Sequence, residues 1–431
     1  MPFLFDLAPM TPAHTTLADL RAGRLAGATH LDLRHAGLTE FPREIFALAD
    51  TLEFLDLSSN ALRDLPADFD RLHALRTLFC SNCAFTELPA VLGRCARLDL
   101  VGFKANAIEH VPAQALSPNL RWLILSGNRV AVMPETLGRC AHLRKLALAG
   151  NRLTALPQGI AGCERLELIR LSANRFEAIE DALPDGLLAL PRLAWLAYAG
   201  NPFNVVREAA AIRSTPIAQV AWSTLDVGVQ LGEGASGFIH AARWRREAAS
   251  EDVAVAVKLF KGEMTSDGLP ASEMAACIAA DAHAHVIGVE GQVVGHPRDV
   301  QGLVMRLIPP TYRSLAAPPS LASCTRDVYA DGVRFAAAQA RAIATGMRDA
   351  LAHLHACGLL HGDFYAHNIL VDDAGHALLG DFGAASFLPE DDAVRREALQ
   401  RIDRRALGVL VEELAVRCED GIAAEDLLQA P

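Results

Sequence analysis

Short apolar runs recur at a nearly constant interval through the first half of the chain. Four of them share one pattern, in which leucines alternate with other residues and an asparagine follows: LEFLDLSSNAL, LRWLILSGNRV, LRKLALAGNRL and LELIRLSANRF. The asparagine position is filled, in chain order, by Ala36, Asn60, Cys83, Asn106, Asn128, Asn151, Asn174 and Asn201. These positions are 24, 23, 23, 22, 23, 23 and 27 residues apart. Such a period indicates stacked repeats, and the alternation predicts one short strand in each of eight units.

The repeated pattern of leucines and asparagine resembles the leucine-rich repeat family. The leucines of each LxxLxL run face one side of a strand, so stacked units build a parallel sheet over a shared core. The asparagine amide can bond backbone groups that the following turn leaves unpaired. Leu-Pro pairs such as Leu88-Pro89 and Leu156-Pro157 are expected to end strand segments. The resemblance implies an α/β leucine-rich repeat solenoid over residues 29–205, preceded by an N-terminal cap over residues 1–28.

The strand positions between the leucines are expected to form a concave face, which is the usual partner surface of a solenoid. They mix small, polar and apolar side chains without a dominant charge: Asp56, Ser58, Phe79, Lys104, Ile124, Ser126, Arg170, Ser172 and Ala199. We expect a protein partner on this face. A spacer or a dimerisation element is the alternative.

The nine cysteines raise the possibility of disulfides or of a metal site. Their odd number, in a long chain, favours free thiols in a reducing compartment. The Cys80-x-x-Cys83 spacing is compatible with zinc, but Cys80 takes an inward leucine position and Cys83 takes the asparagine position. Cys95, Cys140 and Cys163 each precede their repeat asparagine by 11 residues. We therefore interpret these cysteines as packing residues.

The second half of the chain opens on a glycine-rich loop. LGEGASGFI, from Leu231 to Ile239, contains the spacing G-x-G-x-x-G at Gly232, Gly234 and Gly237. In dinucleotide-binding proteins a helix follows such a loop directly. Here an alternating strand follows instead and ends in VAVK at Lys258. A glycine loop followed by a lysine on an apolar strand resembles the protein kinase fold.

Further motifs follow in the order that protein kinases have. His361-Gly362-Asp363 precedes Asn368, Asp381-Phe382-Gly383 comes 13 residues after Asn368, and Asp403 opens DRRALGVLVEEL, which resembles the central helix of the kinase C-lobe. The resemblance implies an α+β protein kinase-like bilobal domain over residues 225–431, joined to the repeats by a connector over residues 206–224. Its N-lobe would span about 225–308 and its C-lobe about 309–431.

The resemblance assigns the nucleotide site to ATP. Lys258 would contact the α and β phosphates and would be held by a carboxylate from the next helix, for which Glu273 is the best candidate. Glu263 is closer in sequence and falls in the connecting loop. The remaining nucleotide-binding residues would be the glycine loop and apolar side chains around the adenine: Leu231, Gly232, Gly234, Gly237, Ile239, Ala256, Met305 and Leu307.

The same resemblance assigns the reacting groups. Asn368 and Asp381 would hold Mg²⁺ through hard oxygen ligands. Asp363 would orient the acceptor hydroxyl and take its proton. His361 is expected in the core, where it would stack with Phe382. The predicted catalytic set is therefore Asp363, Lys258, Asn368 and Asp381.

Several positions depart from the kinase pattern. Gly362 stands where the family has an arginine that reads a phosphate on the activation loop, so we expect no need for that phosphate. Tyr365 replaces a lysine that steadies the γ-phosphate, and His367 could partly compensate for it. Only 21 residues separate Asp381 from Asp403, and the printed chain stops soon after that helix. The sequence thus predicts a short activation segment and a truncated C-lobe.

Three functions fit these motifs. A protein serine/threonine kinase whose repeats recruit a partner comes first, and the whole chain resembles bacterial leucine-rich repeat protein kinases. The His-Gly-Asp spelling is also similar to that of aminoglycoside and choline phosphotransferases, and an ATP-binding pseudokinase scaffold is the third possibility. The oligomeric state is left open.

Charge and hydropathy exclude other classes. Residues 1–215 hold 22 basic and 22 acidic residues, whereas residues 216–431 hold 18 and 29, so neither half offers the basic face that nucleic acid requires. No window of about 18 residues is free of charge, which argues against a membrane span. The first residues lack the basic and apolar regions of a signal peptide. We expect a cytoplasmic protein.

Overall fold

The computed structural model describes residues 13–246, 252–262, 264–265, 267–419 and 421–429. The first twelve residues of the predicted cap, and Glu263, lie outside these ranges. The chain divides into two compact units. The repeat unit comprises described residues up to Leu193 together with Asn201–Phe203, and the kinase-like unit comprises Ala194–Gly200 together with the described residues from Asn204 onward.

The repeat unit begins with helix α1 (Ala13–Arg21) and continues as a parallel sheet. Each strand pairs in register with the next one along the chain. The strands are β1 (His30–Asp32), β2 (Phe54–Asp56), β3 (Thr77–Phe79), β4 (Leu100–Gly102), β5 (Trp122–Ile124), β6 (Lys145–Ala147) and β7 (Leu168–Arg170). Two short helices follow, α2 (Ile179–Ala182) and α3 (Asp185–Leu188). The predicted solenoid is therefore confirmed.

The repeat asparagines bond the backbone as their position predicts. The Asn151 side-chain nitrogen donates to the carbonyls of Leu125 and Leu148, both at 2.9 Å, and its oxygen accepts from the Val130 N–H at 3.0 Å. Each amide thus ties its own turn to the preceding repeat. In the irregular unit the Cys83 thiol donates to the Leu57 carbonyl at 3.4 Å, which supplies one of these bonds.

Short 3₁₀ turns form the side of the solenoid opposite the strands. They are Arg43–Leu48, Phe69–Arg71, Ala90–Arg94, Ala113–Ala115, Glu135–Arg139 and Gln158–Gly162. The expectation that Leu-Pro pairs end strands is wrong, because Pro89 and Pro157 immediately precede two of these turns, and the fixed φ of proline suits the start of a turn. The turns stack closely: a Cβ on Gly138 would lie 2.1 Å from the Gly159 carbonyl oxygen.

The exposed part of the predicted concave face is smaller than expected. Lys104 is exposed, and Phe79 and Ile124 are half-buried. The other predicted positions are buried: Asp56, Ser58, Ser126, Arg170, Ser172 and Ala199. At Asp56 and Ser58 the reason is local, since the Ser58 N–H donates to the Asp56 carboxylate at 2.8 Å and the Ser58 hydroxyl accepts from the next turn.

The N-terminal part of the kinase-like unit is a six-stranded sheet against one helix. Its strands are β9 (Ala218–Ala221), β10 (Leu225–Glu233), β11 (Gly237–Trp244), β12 (Val253–Phe260), β13 (Val289–Val294) and β14 (Gly302–Arg306). They are ordered β10-β11-β12-β14-β13-β9. The helix is α5 (Pro270–Ala279). Valines of several strands form the core, among them Val255, Val257 and Val304.

The chain that leads into this sheet is more structured than a plain connector. Helix α4 (Pro202–Ser214) leaves the repeats, as expected for a helical link. Strand β9 then pairs in parallel with β13 and extends the sheet at its edge. The eighth repeat strand, β8 (Trp195–Ala197), belongs to the kinase-like unit, within Ala194–Gly200.

The C-terminal part of this unit is mainly helical. Helices α6 (Ala337–Ala356) and α7 (Ala393–Val416) pack together. A short strand, β15 (Arg313–Ser314), precedes α6, and four more lie between the two helices: β16 (Leu359–Leu360), β17 (Ile369–Val371), β18 (Ala377–Leu379) and β19 (Ser386–Phe387). Only residues 384–392 lie between Gly383 and α7, so the segment that follows Asp381 is short, as predicted.

The cysteines, the clusters of potential metal ligands and the long helices bear on metal binding and on membrane crossing. All nine cysteines are free thiols. Within the ranges above, no group of three or more His, Cys, Asp or Glu side chains could hold a metal ion. No helix in the same ranges combines the length and apolar character that crossing a bilayer requires.

Candidate active site

Lys258 and Glu273 form a buried ion pair. Strand β12 carries the lysine and helix α5 carries the glutamate, whose side chain is 2% exposed. Burial lowers the pKa of Lys258, but the charges of Glu273 and Asp381 outweigh it, so the pKa lies above its ordinary value. The lysine is therefore held as a cation between the helix and the Asp381 loop. The other carboxylate oxygen of Glu273, Oε2, is buried and accepts no hydrogen bond from the described residues.

Asp363 and Asn368 lie together in the loop between β16 and β17. A 3₁₀ turn, Ala366–Asn368, brings the asparagine back toward the aspartate. The Asn368 side-chain nitrogen donates to the Asp363 carbonyl at 2.9 Å and to its carboxylate at 3.0 Å. Both amide hydrogens are therefore used by Asp363. The amide oxygen of Asn368 is left as the atom that can meet a cation.

Asp381 occupies a strained turn after β18. Its φ of 55° lies in the left-handed region, which aspartate tolerates better than most residues. One carboxylate oxygen accepts the Gly383 N–H at 3.2 Å, and the residue is exposed. A turn-forming role explains that hydrogen bond, whereas the exposure and the nearby Lys258 charge fit a ligand-binding role.

His361 and Asp403 fix the catalytic loop, residues 361–368 between β16 and β17. The buried Asp403 carboxylate accepts the N–H groups of His361 at 2.8 Å and Gly362 at 3.0 Å. The His361 ring is fully buried, lies 5.4 Å from the Phe382 ring and contacts the Gly380 carbonyl at 3.1 Å. The predicted core role of His361 thus matches its surroundings. The long helix α7 anchors the loop through Asp403.

The residues expected around the adenine lie on neighbouring strands. In the sheet register Ala256 faces Met305, and Ile239 faces Lys258. Ile239, Met305 and Leu307 are half-buried and Leu231 is 53% exposed, so apolar surface stays accessible beside the lysine. This arrangement suits a flat, apolar ring.

The glycine loop joins β10 to β11 in a tight turn. The Gly234 N–H donates to the Gly237 carbonyl at 2.9 Å, across the loop. A Cβ on Gly237 would lie 2.5 Å from the Leu259 carbonyl, so that position excludes a side chain. A Cβ on Gly232 would meet no atom within 4 Å, so its glycine is not required by packing.

His367 has a partner that the sequence did not reveal. Its ring nitrogen Nδ1 lies 2.7 Å from the Asp327 carboxylate, which also accepts the His367 N–H at 3.0 Å. Burial lowers the pKa of His367, but Asp327 and the charges of Asp363 and Asp381 raise it above its ordinary value. A cation is therefore favoured beside Asp363. Asp327 lies in an irregular stretch with no motif, so only the fold could identify it.

Tyr365 is a packing residue. It is 6% exposed and stacks on Trp195 of β8, with ring centroids 4.3 Å apart and planes 4° from parallel. From the sequence we interpreted Tyr365 as the replacement of a lysine that steadies the γ-phosphate. A lysine here would lose the stacking contact and place its stem where an aromatic ring is now buried.

Two family models match the two parts of the chain. The family model described as protein tyrosine and serine/threonine kinase matches residues 225–406. The leucine rich repeat model matches residues 27–85 and 118–176. A solved structure of a leucine-rich repeat protein from Leptospira interrogans is 28% identical, covers 42% of this chain and 46% of that chain, and has a TM-score of 0.39.

Curated relatives match the kinase-like part. CBL-interacting protein kinase 22 of Oryza sativa subsp. japonica is 29% identical over 175 residues, which is 38% of this chain and 37% of that protein. Serine/threonine-protein kinase bur1 of Neurospora crassa is 27% identical over 165 residues, which is 36% of this chain and 27% of that protein. This chain thus spans about a third of the length of these kinases. It carries leucine-rich repeats followed by a protein kinase domain.

Proposed function

We propose that this chain is an ATP-dependent phosphotransferase that acts as a protein serine/threonine kinase. The observation that carries the proposal is the buried ion pair of Lys258 and Glu273. Protein kinases need this lysine paired in order to position the nucleotide phosphates. The pair lies in the same compact unit as Asp363, Asn368 and Asp381.

The proposed reaction transfers the γ-phosphoryl group of ATP to a hydroxyl. The hydroxyl oxygen forms a bond to the γ-phosphorus, the bond to the ADP oxygen breaks, and the hydroxyl proton passes to the Asp363 carboxylate. Asn368 fixes that carboxylate through its 3.0 Å hydrogen bond. Lys258 orients the α and β phosphates, and His367, whose pKa is raised by the neighbouring Asp327 carboxylate, adds positive charge near Asp363 when it is protonated. ADP then leaves with the electron pair of the broken bond.

The residues present fit Mg²⁺ as part of Mg·ATP. Asn368 offers its amide oxygen and Asp381 offers a carboxylate oxygen, and Mg²⁺ prefers such hard ligands together with phosphates and water. When bound, the ion would neutralise charge on the phosphate oxygens. Two protein ligands do not make a complete cage, so we expect the metal to arrive with the nucleotide.

We further propose that the repeats recruit a protein partner through the concave face around Phe79, Lys104 and Ile124. These side chains are the predicted positions that stay at least partly exposed. The nine free thiols favour a reducing, cytoplasmic location. The likeness to bacterial leucine-rich repeat kinases stays a prediction, since the two curated kinases above come from a plant and a fungus.

A small-molecule kinase is the second candidate. The short stretch of residues 384–392 leaves little chain for docking a peptide beside the site, and the His-Gly-Asp spelling is similar to that of the small-molecule phosphotransferases. A pseudokinase scaffold is the third, although Lys258, Asp363, Asn368 and Asp381 all retain reactive side chains.

Incubation with γ-labelled ATP and Mg²⁺ distinguishes these functions. The protein would be tested alone, with a protein lysate and with a pool of small hydroxyl and amine compounds. Label on proteins supports the proposal. Label confined to small molecules supports the second candidate, and ATP binding without any transfer supports the scaffold.

A further inference from the structure

The last repeat strand bonds the backbone on both sides of Asp363. The Leu196 N–H donates to the Gly362 carbonyl at 3.1 Å. The Trp195 indole N–H donates to the Phe364 carbonyl at 3.0 Å. These two contacts fix the carbonyl groups of the residues on either side of the predicted base. They lie within the kinase-like unit, to which Ala194–Gly200 belongs.

A column of stacked planar side chains extends from Trp195 of β8 to His367 in the candidate active site. The Arg326 guanidinium lies 5.4 Å from the Trp195 ring, Trp195 stacks on Tyr365, and the Tyr365 ring lies 5.1 Å from the His367 ring. Trp195 is 1% exposed. The position of His367 is therefore fixed from one side by this column and from the other by Asp327.

Tyr198, the residue that follows β8, also holds the segment after Asp381. The Tyr198 N–H donates to the Ser386 hydroxyl at 3.1 Å, and the Tyr198 hydroxyl donates to the Phe387 carbonyl at 2.9 Å. Ser386 and Phe387 form β19, which pairs with β16 just before the catalytic loop. Residues 195–198 thus contact both the loop that carries Asp363 and the segment that follows Asp381.

Gly362 shows why the usual arginine is missing. Its φ of 71° is left-handed, and a Cβ there would lie 2.2 Å from the Leu196 carbonyl oxygen and 2.9 Å from the Ala384 oxygen. No other residue fits while the strand is in place. In the kinase family the arginine at this position ties the catalytic loop to a phosphorylated activation segment, and here the strand occupies that space.

We propose that residues 195–198 are a built-in positioning element, which holds the catalytic loop and the segment after Asp381 without an activating phosphate. Trp195 and Tyr198 are positioning residues in this proposal, because they act through Asp363 and β19 and not on the substrate. The inference rests on the proposed function only for its effect on turnover, since the contacts themselves predict a rigid loop.

The test uses the full chain with Trp195→Phe and Tyr198→Phe. Trp195→Phe keeps a ring in the stack and removes the N–H donor, and Tyr198→Phe removes the hydroxyl alone. Trp122→Phe is the matched control, because Trp122 is a buried tryptophan at the first position of β5, as Trp195 is of β8. The readouts are transfer of label from γ-labelled Mg·ATP to the lysate proteins, the melting temperature, and hydrogen exchange of residues 361–368 and 384–388.

Loss of a buried hydrogen bond beside the base should lower kcat by about tenfold in Trp195→Phe, with the KM for ATP within about twofold of wild type. Exchange across residues 361–368 should become faster. Tyr198→Phe should speed exchange at residues 384–388. Trp122→Phe should change neither kcat nor exchange at these residues, whatever its melting temperature. Treatment with a phosphatase should leave wild-type turnover unchanged.

Unchanged kcat and unchanged exchange in Trp195→Phe would overturn the inference, as would equal losses in Trp122→Phe. Dependence of turnover on phosphorylation would also overturn it. If wild type transfers no label, the proposed function fails and exchange alone decides. Faster exchange of residues 361–368 in Trp195→Phe, and not in Trp122→Phe, would then support a positioning role for the strand.

Discussion

Lys258 and Glu273 are fifteen residues apart, and the resemblance to protein kinases, together with the place of Glu273 on the following helix, was enough to select them as partners. A lysine on an apolar strand and a carboxylate on the following helix leave few other pairings. Asp327 and Trp195 could not be found in this way. Trp195 reaches a carbonyl 169 residues further along the chain, and no local pattern encodes a contact of that range. The sequence thus predicts motif residues well and their supports poorly.

Nucleotide binding should depend on Lys258. We expect Mg·ATP at a concentration of about 100 times Kd to stabilise the wild-type protein by roughly 3 kcal/mol, because a ligand that binds only the folded state shifts unfolding by mass action. Lys258→Met should reduce the accompanying rise in melting temperature. Lys104→Met, which changes an exposed lysine of the repeats, should retain it. An equal rise in Lys258→Met would show that this lysine does not hold the nucleotide.

Among the strands and turns, the period of the leucines correctly predicted the repeat strands. The Leu-Pro pairs were wrongly expected to end those strands. The repeat strands lie where the alternation placed them. The Leu-Pro pairs mark turns, because proline suits the start of a 3₁₀ turn as well as the end of a strand. Strand β9 was missed, since AQVA is four residues long and its pairing with β13 is a tertiary effect.

Asn151 should stabilise the solenoid through its three buried side-chain hydrogen bonds. Asn151→Ala removes all three and leaves backbone groups unpaired, so we expect a loss of about 3 kcal/mol in the free energy of unfolding. Asn151→Cys should cost less, because Cys83 already serves at the equivalent position with one such bond. Urea unfolding measures both, and equal losses would show that the hydrogen bonds do not set the preference.

Helix α7 carries a carboxylate that should make stability depend on pH. Burial raises the pKa of Glu413 to about 7, and its carboxylate accepts the Tyr329 hydroxyl at 3.1 Å. The folded state therefore binds this proton more tightly than the unfolded state, so stability falls as pH rises from about 4.5 to 7 and stays lower above that range.

Glu413→Gln removes that titration. We expect the variant to be more stable than wild type at pH 8, by about 1–3 kcal/mol, and to match it more closely at pH 5. Melting temperatures at the two pH values provide the measurement. A difference that is the same at both pH values would show that Glu413 does not titrate in this range.

At the scale of the whole molecule, the sequence predicted both architectures but not where one compact unit ends. The repeat pattern runs without a break to Asn201, so we placed the boundary near residue 205. The compact units divide within the eighth repeat, because Trp195, Leu196 and Tyr198 bond the catalytic loop and β19. The repeat pattern alone does not indicate that the eighth repeat also contacts the catalytic loop and β19.

Two shortened chains test this boundary. Residues 194–431 retain the strand and residues 206–431 lack it. Because Trp195 and Tyr198 are almost fully buried, we expect the shorter chain to melt at a lower temperature or not to fold. Equal melting temperatures would show that the strand adds nothing to the stability of the kinase domain.

In the proposed mechanism, Asp363 acts as the base of a phosphoryl transfer. The most direct measurement compares transfer from γ-labelled Mg·ATP by wild type and by Asp363→Asn, with nucleotide binding followed in both by thermal shift. We predict that binding is retained, because the base does not hold the nucleotide, and that transfer falls by about a hundredfold or more. Transfer by Asp363→Asn at the wild-type rate would contradict the assignment and the mechanism built on it.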